Sequence, residues 1–309
     1  MKKDKEIKKI PAIINFDPGI DDAVALIMAI KSERFDIKLI TTDIGNISCE
    51  QAAQNTLNVL ELIGAEDIPV VAGEGKCFQI ERPRRSVHGK TGLGNYVFEK
   101  NSRRVTKGNA VDMMRNTIMS AEEKITIICL SPPTNIAKMV TNYPETVEKI
   151  ERMVFMVGSI EQLKRGKLPY AEFNVAGDPE ASEAILKAKV PLEIVPMEMG
   201  HTAYLDWQDV FKTKNMNHVG SVLEYIYRDY KDFHVKNGIA THDGCAIAYI
   251  TNPEIFKVED VKAEIRYYDK LKTGVFVMNF DKKPNAKVCT EIDVKKFKKI
   301  YFDCLKKCK

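Results

Sequence analysis

The stretch Ile13-Ile14-Asn15-Phe16-Asp17-Pro18-Gly19-Ile20-Asp21-Asp22-Ala23 decides how this chain is expected to fold. An apolar run ends in a Pro-Gly turn, and apolar residues at helical spacing follow the turn, which predicts a strand, a tight turn and a helix. Parallel sheets bind ligands at such strand ends. The carboxylates of Asp17, Asp21 and Asp22 would repel one another there unless a cation neutralised them, so the stretch predicts a metal site.

The same three aspartates also have a structural interpretation that needs no metal. Asp21 and Asp22 would then be carboxylates favoured by the dipole at a helix N-terminus, and Asp17 would cap the turn. The metal interpretation is favoured, because three adjacent negative charges need an offsetting positive charge. Carboxylate oxygens are hard ligands, which select Ca²⁺ or Mg²⁺ over Zn²⁺.

The rest of the chain alternates predicted strands and helices with short connections. Strands are predicted at 12–14, 37–42, 69–73, 125–130, 153–158 and 191–197, and helices at 24–30, 49–63, 110–121, 219–233, 243–250 and 294–304, with further helices beginning near 136 and 179. The segment 261–293 alternates like antiparallel strands. We expect a doubly wound α/β fold, with a mostly parallel, Rossmann-like central sheet flanked by helices and some antiparallel strands in the C-terminal third. A single domain is predicted over 1–309, with 1–10 as a flexible charged N-terminus.

Composition narrows the function classes and the expected location. The 309 residues are 44% hydrophobic and 29% charged, which is ordinary for a globular protein with a large core. Seven cysteines without a C-x-x-C pair indicate reduced thiols in a cytoplasmic protein. No apolar run is long enough for a membrane span or a secretory signal. The basic run at 295–299 is expected to be the solvated face of a helix, so neither a nucleic-acid nor a membrane partner is predicted.

Further polar motifs follow the predicted strands. They are Thr41-Thr42-Asp43-Ile44-Gly45-Asn46, His88-Gly89-Lys90-Thr91-Gly92-Leu93-Gly94, Thr134-Asn135-Ile136-Ala137, Ala171-Glu172-Phe173-Asn174 with Asp178-Pro179-Glu180-Ala181, and His242-Asp243 ahead of Cys245-Ala246. Together with 15–23, and in the same order, they resemble the inosine-uridine-preferring nucleoside hydrolases from about residue 12 to the C-terminus. The first motif of that family usually reads Asp-x-Asp-Pro-Gly-x-Asp-Asp-Ala, and Asn15 replaces its first aspartate here.

The resemblance implies calcium-dependent hydrolysis of the N-glycosidic bond of ribonucleosides, which gives a free base and ribose. It implies a Ca²⁺ held by the carboxylates of Asp17, Asp22 and Asp243 and by the backbone carbonyl of Leu130. Asp17 would also be the general base for a metal-bound water, and His242 the acid for the departing base. The implied substrate-binding residues are Asp21, Asn46, His88, Met156, Glu172, Phe173 and Asn174. A homodimer or homotetramer is implied as well.

Structural interpretations stay open for several of these residues. Asn46 and Asn174 could be turn residues that tolerate left-handed dihedral angles. His242 could be a buried histidine bonded to the backbone, although its place beside a predicted ligand favours function. His88 is expected near the mouth of the site, and His201 is expected to be a structural residue at a strand end.

Two other functions also stay open. The chain could perform the same chemistry on another ribosyl compound, or it could bind nucleosides without turnover, since Asn15 departs from the family motif. The loop 159–169 lacks the asparagine that the family often places there, so the preferred base is not predicted. Tyr227, Tyr230 and Phe233 recur on one predicted helix, which favours packing in the core over stacking on a base.

Overall fold

The computed structural model describes residues 8–65, 67–81, 88–99, 101–161, 164–165, 168–169, 171–230, 235–268 and 274–308. The strands in these ranges are β1 (Ile10–Phe16), β2 (Phe35–Thr42), β3 (Val70–Ala72), β4 (Ile125–Cys129), β5 (Ile150–Met156), β6 (Lys164–Arg165), β7 (Leu168–Pro169), β8 (Leu192–Val195), β9 (Leu205–Asp206), β10 (Gly238–Ile239), β11 (Phe256–Tyr267), β12 (Gly274–Asn279) and β13 (Ala286–Ile292). The helices there are α1 (Ile20–Ser32), α2 (Cys49–Leu62), α3 (Ala110–Ser120), α4 (Thr134–Asn142), α5 (Phe173–Gly177), α6 (Pro179–Ala188), α7 (Met197–Thr202), α8 (Trp207–Lys214), α9 (His218–Tyr227), α10 (His242–Thr251) and α11 (Val294–Lys306). Short 3₁₀ segments, Pro144–Lys149 and Pro253–Ile255, precede β5 and β11.

Nine of the described strands form one sheet in the order β3-β2-β1-β4-β5-β8-β13-β11-β12. Neighbouring strands from β3 to β13 are parallel, whereas β11 is antiparallel to both β13 and β12. The last of the described strands along the chain, β13, therefore lies inside the sheet. The predicted α/β fold, with a mostly parallel sheet and antiparallel strands in the C-terminal third, is confirmed.

Helices cover both faces of the sheet, and its central strands are mostly apolar for that reason. All five residues of β4 are buried. Ile14 of β1 packs on one face with residues of α1, α10 and α11, whereas Ile13 packs on the other face with residues of α3, α4 and α6. Successive side chains of a strand point to opposite faces. One strand thus contributes to both layers of the core, as a doubly wound fold requires.

Two element ends differ from the sequence prediction. β8 ends at Val195, because Pro196 has no N–H to donate to the sheet and becomes the N-cap of α7. The prediction that His201 ends a strand is therefore wrong, since this residue lies in α7. α9 ends at Tyr227, earlier than the predicted 233. Tyr227 is fully buried, as expected for core packing, and Phe233 lies outside the described residues.

The cytoplasmic location and the flexible N-terminal segment stay predictions. The flexible segment predicted over 1–10 is described only from residue 8, and β1 already begins at Ile10. The single domain over 1–309 stays a prediction. All seven cysteines are buried. None of the helices in the described ranges combines the length and the apolar character needed to cross a lipid bilayer.

Candidate active site

The acidic residues lie where the strand order of the sheet reverses. β1 has β2 on one side and β4 on the other, and the helices that follow β1 and β4 pack on opposite faces. Asp17 directly follows β1, and Leu130 directly follows β4. The backbone N–H of Leu130 donates to the carbonyl of Asn15 at 2.9 Å, which holds the two strand ends together. In open parallel sheets, this crevice is the usual ligand site.

Three buried carboxylates converge at the N-termini of two helices. α1 begins at Ile20, earlier than the predicted 24, so that Asp21 and Asp22 lie in its first turn. Asp243 lies in the first turn of α10. One oxygen from each of the three carboxylates lies within 4.8 Å of the oxygens from the other two. The partial positive charge at each helix N-terminus favours carboxylates at this point.

This convergence is unfavourable in the absence of a cation. Burial raises the pKa of Asp22 to about 6. Burial also raises the pKa of Asp243 well above its usual range, and the charges of Asp21, Asp22 and Asp17 raise it further. Oδ1 of Asp22 is buried and accepts no hydrogen bond from the described residues. Because a buried carboxylate oxygen needs a partner, these residues fit a hard divalent cation.

The observed cluster overlaps the predicted ligand set without matching it fully. Asp22 and Asp243 belong to both sets, whereas Asp21 was predicted to contact ribose. Asp17 is fully buried, and its negative charge acts on Asp243. The roles of Asp17 and of the Leu130 carbonyl as ligands stay predictions, as does the identity of the metal.

The loop after β2 fixes the carboxylate of Asp17. The backbone N–H of Asn46 donates to Oδ2 of Asp17, and Nδ2 of Asn46 reaches Oδ2 of Asp22 at 3.4 Å. Gly45 lies directly against the Asp17 carboxylate, and a Cβ at this position would be 2.6 Å from Cγ of Asp17. The N–H of Gly19 donates to Oδ2 of Asp22 at 2.9 Å. Asn46 is therefore more than a turn residue, since it joins two of the acidic side chains.

His242 is the first residue of α10, directly before Asp243. α7 packs closely on it, because a Cβ at Gly200 would lie 2.7 Å from Cα of His242. The His201 ring contacts the His242 ring with centroids 4.8 Å apart. Burial raises the pKa of Glu172, whereas backbone hydrogen bonds from Gly158, Asn174 and Val175 and, less strongly, the charge of His242 lower it. The contact of His201 with His242 could not be predicted, because the helix that carries His201 follows a proline that the prediction placed inside a strand.

Asn174 connects the ends of two neighbouring strands. Its Nδ2 donates to the carbonyl of Met156 at 2.9 Å and to the carbonyl of Leu130 at 3.3 Å. The Glu172 carboxylate caps α5 by accepting hydrogen bonds from the N–H groups of Asn174 and Val175. Phe173, the first residue of α5, is partly exposed. The structure thus brings Met156, Glu172 and Asn174 to the same sheet edge as Leu130, and their contacts with substrate stay predictions.

His88 is buried against the first turn of α1, and its predicted position near the mouth of the site stays a prediction. Its Nδ1 accepts a hydrogen bond from the N–H of Ile20 at 3.1 Å, at the start of α1. Its Nε2 lies 3.9 Å from Oδ1 of Asp21, and its ring packs on Tyr230 with centroids 5.2 Å apart. Because Nδ1 accepts, the proton of the neutral ring is on Nε2, toward Asp21. His88 therefore supports the first turn of the helix that carries Asp21 and Asp22.

Comparison with known proteins identifies the family of this chain. The sequence profile of the family described as inosine-uridine preferring nucleoside hydrolase matches residues 12–299. The chain is 32% identical over 299 residues to the non-specific ribonucleoside hydrolase RihC of Klebsiella pneumoniae, which covers 94% of this chain and 96% of that protein. It is 32% identical over 305 residues to the protein of the same name from Escherichia fergusonii, covering 97% and 99%. A solved plant nucleoside hydrolase, the PpNRh1 enzyme, is similar with a TM-score of 0.88 and 26% identity over 97% of this chain and 99% of that chain. The chain therefore belongs to the inosine-uridine preferring nucleoside hydrolase family and is a hydrolase of ribonucleosides.

Proposed function

We propose that this hydrolase cleaves the N-glycosidic bond of ribonucleosides with Ca²⁺ as cofactor, Asp17 as general base and His242 as general acid. The observation that carries the proposal is the gathering of four buried aspartates, Asp17, Asp21, Asp22 and Asp243, at the crevice between β1 and β4. The relatives named as non-specific ribonucleoside hydrolases support an enzyme that accepts more than one base.

Asp22 and Asp243 would hold the ion, together with Asp17 and the carbonyl of Leu130. All four groups offer oxygen atoms as ligands, as a hard cation requires. Two follow the ends of strands β1 and β4, and two lie in the first turns of helices α1 and α10. When bound, Ca²⁺ supplies the positive charge that offsets these carboxylates and makes water at the site more acidic. Asp21, on the same helical turn, would then be available to contact a ribose hydroxyl.

Asp17 would accept the proton of the attacking water. The N–H of Asn46 holds its Oδ2, and Gly45 leaves the carboxylate little room to rotate away, so the base is fixed before substrate arrives. The water oxygen bonds to the anomeric carbon of ribose as its proton moves to Asp17. Positive charge that develops on the ribose ring, as in other glycosidic cleavages, is stabilised by the nearby negative charge of Asp21.

His242 would donate a proton to the departing base. The electron pair of the N-glycosidic bond moves to the base nitrogen as the bond breaks, and a proton there yields a neutral leaving group. Imidazole is suited to this step because its usual pKa is close to neutrality. The contacts with His201 and α7 hold the ring beside Asp243.

The direct test is ribose release from a panel of purine and pyrimidine ribonucleosides, measured with and without a chelator. We expect release from several substrates, loss with chelator, and recovery with added Ca²⁺. Asp17→Asn should reduce kcat by about 10²–10⁴-fold, the usual contribution of a general base. The matched control is Asp281→Asn, at an exposed turn between β12 and β13, which should behave as wild type.

Three results would contradict parts of this proposal separately. Binding of nucleosides without any ribose release would refute turnover. Full activity in the presence of chelator would refute the role of the metal, and an active Asp17→Asn variant would refute the base. A homodimer or homotetramer in the cytoplasm remains part of the proposal, and light scattering on the purified chain tests the assembly.

A further inference from the structure

Asn15, which stands where the family motif has an aspartate, is the centre of a buried hydrogen-bond network. Its Nδ2 donates to Oδ2 of Asp43 at 2.8 Å and to Oγ of Ser131 at 2.9 Å. Its Oδ1 accepts from Oγ1 of Thr41 at 2.8 Å and from Nδ2 of Asn135 at 3.2 Å. All five side chains are almost fully buried. Because an ionised carboxylate only accepts hydrogen bonds, the amide nitrogen of Asn15 must face Asp43.

Asp43 carries a buried carboxylate one strand away from Asn15. This carboxylate accepts from the backbone N–H of Asn135 at 3.2 and 3.3 Å, in the first turn of α4, where the helix dipole favours a negative charge. The N–H of Asp43 donates to the carbonyl of Phe16 at 3.0 Å. Asp43 therefore joins β2 to the end of β1 and to the start of α4. A second carboxylate at position 15 would face this one at hydrogen-bond distance and would be repelled.

The Asn15–Asp43 contact is connected to Asp17 by two short routes. Along β1, Asn15 is two residues before Asp17, and its carbonyl fixes Leu130. Along the loop after β2, Asp43 anchors one end, and Asn46 at the other end donates its N–H to the Asp17 carboxylate. Any displacement of Asp43 therefore moves the group that orients Asp17.

We infer that Asn15 and Asp43 form a positioning pair for Asp17. Asp43 carries the negative charge that the family motif has at position 15, and Asn15 supplies the matching donor. This inference rests on the proposed role of Asp17 as base. It also explains how the chain can depart from the motif and keep its site. The carboxylate that the motif has at position 15 of β1 is absent, and Asp43, which follows the neighbouring strand β2, supplies one beside that position.

The test exchanges the two side chains. Asn15→Asp places two buried carboxylates against each other, and we expect kcat for ribose release to fall at least about tenfold, since small displacements of a reacting group are costly. The double variant Asn15→Asp with Asp43→Asn again places one donor against one acceptor. It should recover kcat to within about threefold of wild type, as expected for two coupled sites. KM should change little in either variant.

Asp43→Asn alone keeps the shape of the side chain. It still tests the pair if the Asn15→Asp variant fails to fold. Its single oxygen must serve both the Asn15 amide and the Asn135 N–H, so we expect a kcat between those of wild type and Asn15→Asp. Melting temperatures and circular dichroism establish that each variant is folded.

The outcomes separate this inference from the proposed function. A double variant whose kcat is as low as that of Asn15→Asp would overturn the inference. An Asn15→Asp variant with a lower melting temperature but an unchanged kcat would overturn it as well. If wild type releases no ribose, the proposed function fails, and Ca²⁺ affinity then becomes the readout of the pair. In that case, the pair is supported if Asn15→Asp binds Ca²⁺ more weakly and the double variant binds it as tightly as wild type. Equal Ca²⁺ binding in all variants overturns the pair.

Discussion

Replacing Gly45 by alanine should reduce activity strongly while the chain stays folded. Gly45 does not have a positive φ, so its backbone is compatible with alanine. The added Cβ, however, would overlap the carboxylate of Asp17 and lie 2.6 Å from its Cγ. Because two carbon atoms in contact need about 3.5–4.0 Å, the Asp17 carboxyl group must move by roughly 1 Å.

A misplacement of about 1 Å at a reacting group can reduce the rate by roughly 10²-fold, and we expect this loss in kcat/KM for Gly45→Ala. The assay is ribose release at saturating Ca²⁺, together with the melting temperature. Gly64→Ala is the matched control, because its Cβ meets nothing within 4 Å while its φ of +58° makes alanine unfavourable. It should lose about 1 kcal/mol of stability and keep its activity. A Gly45→Ala enzyme with kcat/KM within threefold of wild type would refute the requirement for a fixed Asp17.

Three further predictions concern the metal, the acid and the core. Chelation should lower the melting temperature and Ca²⁺ should restore it, because an ion that binds only the folded chain stabilises it. An unchanged melting temperature would count against a bound metal. His242→Ala should lower kcat by about 10²–10⁴-fold for nucleosides, and much less for a riboside whose leaving group departs as a stable anion. An equal loss on both substrates would argue against an acid. Tyr301→Phe should lower the free energy of unfolding in urea by about 1–3 kcal/mol, because the buried Tyr301 hydroxyl bonds to Tyr227 and Thr213. Tyr143→Phe, whose hydroxyl bonds to Asp112 at the surface, should change it by less than about 0.5 kcal/mol.

The order of the elements could be predicted because burial on two faces leaves a clear pattern. β4 is apolar at nearly every position, and its neighbours alternate with helices of regular apolar spacing. The bounds of α1 and α7 could not be predicted in the same way. The N-caps of these two helices are Gly19 and Pro196, which make no side-chain hydrogen bond to the helix. Neither helix therefore begins with one of the capping side chains by which a helix start is usually predicted.

The acidic cluster could also be predicted, because Asp21 and Asp22 are adjacent in the sequence and Asp243 stands in a recognisable motif. Contacts between the ends of different strands could not be predicted from the sequence. The bond from Asn15 to Asp43 and the packing of His201 on His242 depend on how loops meet after folding. One signal was present, since Asp43 follows β2 just as Asp17 follows β1.

The position of β13 inside the sheet has a consequence for how the enzyme is made. β13 lies between β8 and β11, so the sheet cannot be completed until the chain has been synthesised past Ile292. Asp243, on α10, likewise reaches Asp22 only after the segment between these two residues has emerged from the ribosome. Contacts between such distant segments form slowly, because the intervening chain must first be ordered. A growing chain that has not yet reached Asp243 therefore lacks one of the three carboxylates of the acidic cluster.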